Sequence, residues 1–408
     1  MTRQNIFSTM LLIIGAIATS MLTGCTSDNP DQRQETPYTQ ISMPDATRAV
    51  VATSNDFALN IFRLAAAEND GNTVISPISI ANVLSMVANA DSGDSRDEIL
   101  SALGLPTGQQ GLDILNEYNH LMLTTLPILD GKTVCRIANS VWSEFPLNSI
   151  FAENMSRYMC ADLFKQSPRG EAGRQAINKW VSTETTGMIP EFLKNPLDAS
   201  WALVNTSYFK GIWVNPFDRE ETTDMTFHNL GLSETRTPFM YVNADFSYNS
   251  LDDFEIVSLP YGNGNFCMEV ILPVEGKFTD VMGRLSAETL EAARREARSC
   301  DVVLRLPKFE SSFATDLMPL FGKLGINGMF SSLDRLIDSG NVAATYACHA
   351  AKIRVDEEGT EAAAATIVGG ETANLTDTVV MTVDRPFIYL IKETSTGVLL
   401  FAGTQVAF

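Results

Sequence analysis

The sequence predicts an α+β fold in one large domain. Helical patterns gather in the first half of the chain and strand patterns in the second, without the regular alternation that a parallel sheet requires. The chain has 408 residues, of which 45% are hydrophobic, so it can bury about three quarters of its unfolded surface. No internal repeat and no second linker follow the first 51 residues or so.

Three segments of the first half predict helices. Residues 55–66 place apolar side chains on one helical face, and residues 171–188 show a similar pattern. Residues 72–89 predict a short strand and then a buried helix that starts at Ser76-Pro77, because proline favours the first position of a helix.

Strand patterns dominate the second half of the chain. They cover residues 203–209, 255–259, 266–272, 302–306, 350–356, 386–392 and 398–406. The last two segments flank the turn residues Thr394 to Gly397, which predicts a C-terminal hairpin.

The N-terminus has the pattern of an export signal. Arg3 precedes an apolar run over residues 10–22, which is too short to span a bilayer and has the length of a signal-peptide core. The run ends in LTGC, which resembles a bacterial lipobox whose cysteine, here Cys25, receives the lipid. We therefore expect residues 1–24 to be a lipoprotein signal peptide. An ordinary secretory signal that happens to contain a cysteine is the alternative.

Residues 25–51 are expected to form a flexible polar tether. The segment that follows Cys25, TSDNPDQRQETPYTQ, is polar and shows no helix or strand periodicity. Together with the lipid, this segment predicts a protein anchored in the bacterial cell envelope at the outer membrane. The sequence does not distinguish the inner from the outer face of that membrane. The lipid on Cys25 is the only membrane contact that we expect.

Charge and cysteine usage exclude several classes of function. The formal net charge of −20 and the lack of a basic patch argue against nucleic-acid binding. Without Cys25 the chain keeps five cysteines, an odd number without close spacing, so a disulfide framework is not expected. The spacing offers no metal ligands either, and we predict neither a metal nor a cofactor. Cys267 lies in the apolar run FCMEVILP and is expected to be buried.

Catalytic motifs are missing from the sequence. It contains no GxSxG, HExxH or GxxxxGKS/T motif. Its three histidines are His120, His228 and His349, and nothing singles out a nucleophile for any of them. We therefore predict that the protein is not an enzyme. A hydrolase, which would turn over small esters, remains the least favoured alternative.

The stretch from Glu357 to Gly370, EEGTEAAAATIVGG, favours no single secondary structure. As a helix it is interrupted by glycines and falls below the roughly 12–15 residues at which isolated helices become marginal. As a strand it contains four alanines, which are poor strand formers. Since most of its side chains are small, the sequence predicts a segment that can exist in two states.

Six segments, in order, resemble signatures of the serpin family over about residues 52–408. They are NTVISPISIANVLSMVANA, NTSYFKGIWVNPF, LPYGNGNFCMEVILP, LRLPKFE, HAAKIRVDEEGTEAAAATIVGG and VDRPFIYLIKETSTGVLLFAGTQV. The resemblance implies the serpin fold, with three β-sheets, eight to nine helices and an exposed reactive-centre loop at about residues 357–381. It also implies a monomer that inhibits serine proteases, and some cysteine proteases, as a suicide substrate. No segment resembles a basic helix, so no polyanion cofactor is expected.

In that family a protease cleaves the loop, which then inserts as a new strand of the main sheet together with the trapped acyl-enzyme. The hinge of the loop would comprise Glu357, Gly359, Thr360, Glu361, Ala362, Ala363, Ala364, Ala365 and Thr366. Every second side chain from Thr360 onward would point into the core, and all of these are small or β-branched. Gly359, without a Cβ, suits a pivot. Glu357 resembles a hinge glutamate that pairs with a lysine, but the sequence does not reveal that lysine.

Five further positions match buried positions of the family. The shutter, a polar cluster where the sheet opens, is matched by Ser76, Ser79, Asn205 and His349, and the breach at the top of the sheet by Trp213. Local capping or turn residues and an ordinary core tryptophan would look the same in the sequence.

The bond that the protease cleaves is expected at Ala373-Asn374, or as second choice at Leu375-Thr376. The loop contains no Arg or Lys, so trypsin-like enzymes are poor candidates and an elastase-like target is favoured. The alternative is a non-inhibitory serpin that acts as a binding or chaperone-like protein. Because the hinge after Glu361 contains no bulky, charged or proline residue, an inhibitor is the favoured interpretation.

Overall fold

The computed structural model describes residues 36–338, 342–344, 347–360 and 378–408, and within them the chain has the predicted α+β organisation. Nine α-helices lie in these ranges: α1 (Asp45–Ala67), α2 (Pro77–Asn89), α3 (Asp94–Ala102), α4 (Gly108–Thr125), α5 (Ser149–Tyr158), α6 (Gly170–Glu184), α7 (Phe278–Arg284), α8 (Ala287–Glu296) and α9 (Met318–Lys323). No helix in this described part of the chain has both the length and the apolar character needed to cross a bilayer.

Fifteen strands lie in the same ranges, and all seven predicted strands are among them. They are β1 (Thr73–Ile75), β2 (Val134–Ser143), β3 (Asp162–Phe164), β4 (Trp201–Ile212), β5 (Asp218–His228), β6 (Glu234–Ser250), β7 (Phe254–Tyr261), β8 (Phe266–Pro273), β9 (Arg298–Pro307), β10 (Phe309–Asp316), β11 (Cys348–Val355), β12 (Gly359–Thr360), β13 (Val379–Thr382), β14 (Phe387–Glu393) and β15 (Leu399–Gln405). The last two form the predicted C-terminal hairpin.

The described strands form a nine-stranded and a six-stranded sheet. The nine-stranded sheet has the order β1-β15-β14-β8-β7-β6-β9-β13, with β5 paired to β6. Strand β6 is 17 residues long and joins two parts of this sheet. Its residues 247–250 pair with β7, and its residues 234–248 pair with β5 or β9. These two parts and the six-stranded sheet together account for the three sheets that the family resemblance implies.

Helix α2 contacts both sheets, through β4 of the six-stranded sheet and β15 of the nine-stranded sheet. Pro77 occupies its first turn, where the N–H that proline lacks would have no helical partner. Ile80, Leu84 and Met86 are buried, and a helix that is apolar on most of its faces packs into the interior. The helix thereby places Ser76, at its start, in the interior of the molecule.

Helix α1 begins at Asp45 rather than at residue 55, where the sequence pattern predicts a start. Residues 45–51, which the sequence assigns to the tether, are therefore helical. Val50 and Val51 are buried, and this tertiary packing stabilises a helical turn that periodicity alone does not indicate.

Residues 36–44, which we call the N-terminal strap, contact the folded body. Thr39 exchanges two hydrogen bonds with the side chain of Asn265, at 3.1 and 2.6 Å. The side-chain amide of Asn263 donates to the carbonyl oxygen of Thr36 at 3.2 Å. The backbone of a segment that the sequence assigns to a solvated tether thus bonds to a turn of the nine-stranded sheet, which corrects the expected extent of the tether.

Candidate functional site: a gap in the six-stranded sheet

The six-stranded sheet has the order β10-β11-β12-β4-β2-β3, and it is incomplete between β11 and β4. On their outer sides β4 pairs with β2 at ten consecutive positions, and β11 pairs with β10 along all of its eight residues. Between them lies only the two-residue strand β12. We call the space between β4 and β11 the gap, its end at β12 the hinge end, and its end near Trp201 the far end. In the described residues the facing edges of β4 and β11 are therefore paired at the hinge end alone.

Strand β12 occupies the hinge end of the gap. Gly359 pairs with Ile212 of β4, and Thr360 pairs with Gly211 of β4 and Val355 of β11. A Cβ on Gly359 would lie 2.0 Å from the carbonyl oxygen of Gly211. Only glycine fits this close approach of two backbones, so the predicted pivot lies where the chain enters the sheet.

Thr360, the first hinge side chain expected to point into the core, is only 1% exposed. Its hydroxyl oxygen lies 2.6 Å from that of Tyr261. The ring of Tyr261 stacks on the indole of Trp213 with a centroid distance of 4.3 Å. The first position of an inserted strand is thus already occupied, with a small side chain in the interior.

The turn between β11 and β12 is held by residues that follow β4. Trp213 donates its indole N–H to the carbonyl oxygen of Asp356 at 2.9 Å. It also donates its backbone N–H to the carbonyl oxygen of Glu358 at 2.9 Å, and Phe217 does the same to Glu357 at 2.9 Å. Trp213, matched to the breach from the sequence, therefore holds the hinge turn through both its backbone and its side chain.

Glu357 is buried, and the structure identifies Lys308 as its partner, with 2.7 Å between Nζ and Oε2. Thr222 donates a hydrogen bond to Oε1 of Glu357 at 3.1 Å. Burial alone would raise the pKa of Glu357, but the contacts with Lys308 and Thr222 outweigh it and hold the pKa below its ordinary value. Arg219 contacts the neighbouring Glu358. Sequence reasoning missed these three partners, since no local pattern shows which segments face the hinge.

Ser76 and His349, two of the four shutter residues, are in contact. The backbone N–H of Ser76 donates to Nε2 of His349 at 3.0 Å, and the Ser76 hydroxyl donates to the carbonyl oxygen of Leu400 at 2.8 Å. Because Nε2 accepts a hydrogen bond, the imidazole is neutral and carries its proton on Nδ1. Burial lowers the pKa of His349 to about 4. Ser76 thus links elements of both sheets, through its backbone N–H to β11 and its side chain to β15, and its side chain does not cap its helix.

The other two shutter residues, Asn205 and Ser79, make no hydrogen bond with this pair within the described residues. Asn205 donates to Oδ1 of Asn139 on β2 at 2.7 Å, and Asn139 donates to the carbonyl oxygen of Met159 at 2.7 Å. Ser79 Oγ, Asn205 Oδ1 and Thr206 Oγ1 have no hydrogen-bond partner among the described protein atoms. Since buried polar atoms normally have partners, the region below the unpaired edge of β4 retains unused hydrogen-bonding capacity.

A cavity of about 280 Å³ lies at the far end of the gap. Trp201 and Leu203 of β4, Val83 of α2 and Ala344 of the segment before β11 are among its lining residues. The exposed residues Arg169 and Asp198 also line this cavity, so it lies at the surface. An additional segment of chain could pack against its apolar lining.

The remaining predicted positions lie away from the gap or outside the described residues. Cys25, hinge residues 361–366 and both candidate cleavage bonds, within 373–376, belong to the second group. His120 is exposed on α4, and His228 ends β5. The three histidines thus lie on three different elements. Among the described residues Cys135, Cys160, Cys267 and Cys300 are free thiols, and Cys267 is buried as expected.

The gap defines a class of protein in which a segment of the chain enters the space between two strands of a sheet at one end. The chain belongs to the serpin (serine protease inhibitor) family, whose model matches residues 52–407. The family that six sequence segments indicate is thereby confirmed.

Similar proteins cover nearly the whole chain. Serpin-ZXA of Oryza sativa subsp. japonica is 32% identical over 394 residues, which are 88% of this chain and 97% of that protein. Alpha-1-antitrypsin 1-4 of Mus musculus is 29% identical over 385 residues, or 91% of this chain and 92% of that protein. The crystal structure of human thyroxine-binding globulin complexed with thyroxine superposes with a TM-score of 0.82 at 24% identity, covering 89% of this chain and 99% of that one. At this identity the likeness shows the fold alone.

Proposed function

We propose that this protein inhibits serine endopeptidases, and some cysteine endopeptidases, as a suicide substrate. The observation that carries the proposal is the gap: within the described residues, β4 and β11 are linked across it only by Gly359 and Thr360 at its hinge end. Insertion of a serpin loop into its own sheet is an established form of β-strand addition. Membership of the serine protease inhibitor family supports the same function.

The proposed reaction begins as ordinary proteolysis. The serine oxygen of the protease attacks the carbonyl carbon of the residue before the cleaved bond and forms an ester. The peptide C–N bond breaks, and the protease histidine protonates the leaving amine. The inhibitor succeeds if its loop inserts before water hydrolyses the ester. Each new backbone hydrogen bond along β4 and β11 would contribute about 0.5–1.5 kcal/mol, which favours insertion.

The sizes of the hinge side chains support insertion. Thr360 already lies in the interior at 1% exposure. With a period of two residues, the next side chains to enter would be Ala362, Ala364 and Thr366. All are as small as Thr360 or smaller, so none is larger than the side chain that the sheet already accommodates.

We further propose that the target is elastase-like and that cleavage occurs at Ala373-Asn374, with Leu375-Thr376 as second choice. The test is to mix the protein with elastase-like, chymotrypsin-like and trypsin-like proteases and to look for complexes that survive denaturant on a gel. Mass spectrometry should find a new N-terminus at Asn374, or secondarily at Thr376.

Three outcomes would contradict parts of this proposal. A stable complex cleaved outside residues 371–377 would show that the cleaved bond is misplaced. Potent inhibition of a trypsin-like enzyme would overturn the specificity argument. Cleavage of the loop without any stable complex, across the whole panel, would favour a non-inhibitory binding or chaperone-like serpin.

We also propose that the mature protein is a monomer anchored to the outer membrane by a lipid on Cys25. The support is the apolar run that ends in LTGC, followed by a polar segment. The variant Cys25→Ser should leave the membrane fraction in detergent-free buffer and keep its inhibitory activity. If it stays with the membranes, the lipid assignment is wrong.

A further inference from the structure

The hydroxyl groups of Tyr261 and Thr360 form a contact that joins strand β7 to the hinge. Their hydroxyl oxygens lie 2.6 Å apart, and both residues are almost completely buried. Burial raises the pKa of Tyr261 well above its ordinary value, so the phenol keeps its proton and can donate it to Thr360. We call this contact the hydroxyl pair.

Local geometry fixes the ring of Tyr261 for this contact. A Cβ on Gly211 would lie 2.7 Å from Cδ1 of Tyr261, so glycine at position 211 makes room for the ring. The ring of Tyr261 also stacks on Trp213. Gly211 is also the β4 residue with which Thr360 pairs. Gly211 therefore pairs with the backbone of Thr360 and also leaves space for the ring of Tyr261, which contacts Thr360.

The turn that follows Tyr261 is itself anchored. The backbone N–H of Asn263 donates to Oδ2 of Asp130 at 3.2 Å, and the N-terminal strap bonds to Asn263 and Asn265. Tyr261 is thus supported on both sides, by Trp213 and by a bonded turn. Its hydroxyl has little freedom to follow Thr360 if Thr360 leaves the sheet.

We infer that Tyr261 is a positioning residue for loop insertion: it holds Thr360 in the sheet before cleavage, so that insertion starts from an occupied first position. This inference rests on the proposed inhibitory function and extends it. Without the phenolic hydroxyl, the Thr360 hydroxyl would be buried without a partner. That state is unfavourable, so β12 would leave the sheet, and insertion after cleavage would have to begin by re-entry.

The experiment uses two single variants and their combination in the full-length protein. Tyr261→Phe and Thr360→Val each leave one buried hydroxyl unpaired, whereas the double variant removes both polar partners and keeps the shapes. Loss of one partner is costly, but replacement of both by apolar groups of the same shape is nearly neutral. Tyr248→Phe is the matched control, because it removes a tyrosine hydroxyl bonded to Glu255 elsewhere in the same sheet.

Two measurements are made on each variant. Hydrogen exchange of residues 356–360, measured without protease, should be faster by roughly ten-fold or more in each single variant and near the wild-type rate in the double variant and the control. The number of inhibitor molecules consumed per protease inactivated should rise severalfold in the single variants alone. The rate of initial loop cleavage should stay unchanged in all variants.

The two measurements separate failure of this inference from failure of the proposed function. If the protein traps no protease, the proposed function fails, and the exchange data still test whether Tyr261 holds Thr360. If it traps a protease but the single variants match the wild type in both measurements, the inference is overturned. A double variant as impaired as the single ones would also overturn it. If Tyr261→Phe does not fold, Thr360→Val decides by the same two measurements.

Discussion

The two ends of the gap differ in almost every physical respect. At the hinge end, Gly359 and Thr360 are paired to both neighbouring strands, and the buried polar groups have partners. At the far end lies a cavity of about 280 Å³. Buried polar atoms of Ser79, Asn205 and Thr206, of which only Asn205 lines this cavity, lack partners among the described residues. The described residues at the hinge end are therefore paired and hydrogen-bonded, whereas the far end keeps unfilled volume.

If the proposed insertion takes place, this difference indicates where it would start. Gly359 and Thr360 are already ordered in the sheet at the hinge end, so the conformational entropy of these two residues has already been lost. Beyond them, the described residues leave strand edges and buried polar atoms that an inserted strand could pair with. The predictions below alter one end of the gap at a time.

The largest effect is expected for Thr360→Arg at the hinge end. A guanidinium at this fully buried position would be unpaired, at a cost on the order of several kcal/mol. Loop insertion should slow while cleavage continues, so the inhibitor should become a substrate. The stoichiometry of inhibition measures this change, and Thr360→Ser, which keeps a small hydroxyl, is the control. Unchanged stoichiometry in the arginine variant would refute the insertion mechanism at this residue.

Acid should destabilise the native state through His349. Its pKa is lowered from 6.5 to about 4 by burial, so the folded state binds fewer protons than the unfolded state between these values. Stability is therefore full above about pH 6.5 and falls by about 3 kcal/mol as the pH drops towards 4. Glu357, whose pKa is also lowered, loses its contribution only at lower pH.

Denaturant unfolding between pH 7 and 4.5 would measure the contribution of His349. The variant His349→Gln can still accept the hydrogen bond of Ser76 but does not titrate. We expect its stability to change much less over this range. A wild-type protein with no more pH dependence than His349→Gln would show that the histidine is not buried as a neutral group.

Removing the cation beside Glu357 should have a smaller effect. Lys308→Ala leaves a buried carboxylate with Thr222 as its remaining side-chain partner, and since Lys308 is 38% exposed we expect a loss of only about 1–3 kcal/mol. The matched control is Lys352→Ala, which removes a surface pair with Glu310. Thermal unfolding of both variants is the measurement, and equal losses would mean that the hinge pair is no more than a surface pair.

The smallest effect is expected for Ser79→Ala on helix α2. The Ser79 hydroxyl has no partner among the described atoms, so its removal should leave stability unchanged or raise it by at most about 1 kcal/mol. Denaturant unfolding at pH 7 measures the change, with Ser85→Ala on the same helix as the control, since Ser85 donates to the carbonyl oxygen of Ala81 at 2.7 Å. A clear loss of stability in Ser79→Ala would show that the hydroxyl is already bonded before insertion.

Much of the fold could be predicted from the sequence, because local patterns carry it. Proline at the start of α2, the C-terminal hairpin and the buried run around Cys267 follow from residue types and periodicity. The strap and the early start of α1 could not, because their polar composition matches a tether and only contacts with the body distinguish the two.

The candidate site divides in the same way. The small side chains after Gly359 indicate a segment that can enter a sheet, and this depends on composition alone. The partners of the hinge, Lys308 and Tyr261, lie about 50 and 100 residues away in the sequence. Their roles depend on which strands become neighbours, and a single sequence does not show this. In the shutter, Ser76 bonds to His349, whereas Asn205 bonds to Asn139 on β2. No sequence pattern marks Asn139 as a partner.

The N-terminal strap also determines from which side the molecule would be tethered. It bonds to Asn263, two residues after Tyr261, so the described chain begins beside the hinge end of the gap. Eleven residue steps separate Cys25 from Thr36, and a fully extended chain of that length spans at most roughly 40 Å. With the proposed lipid on Cys25, Thr36 would lie within that distance of the lipid, and the hinge end would stay near the bilayer surface. Capture would then depend on how closely a protease can approach that surface, and enzymes too large to come close would escape whatever their specificity.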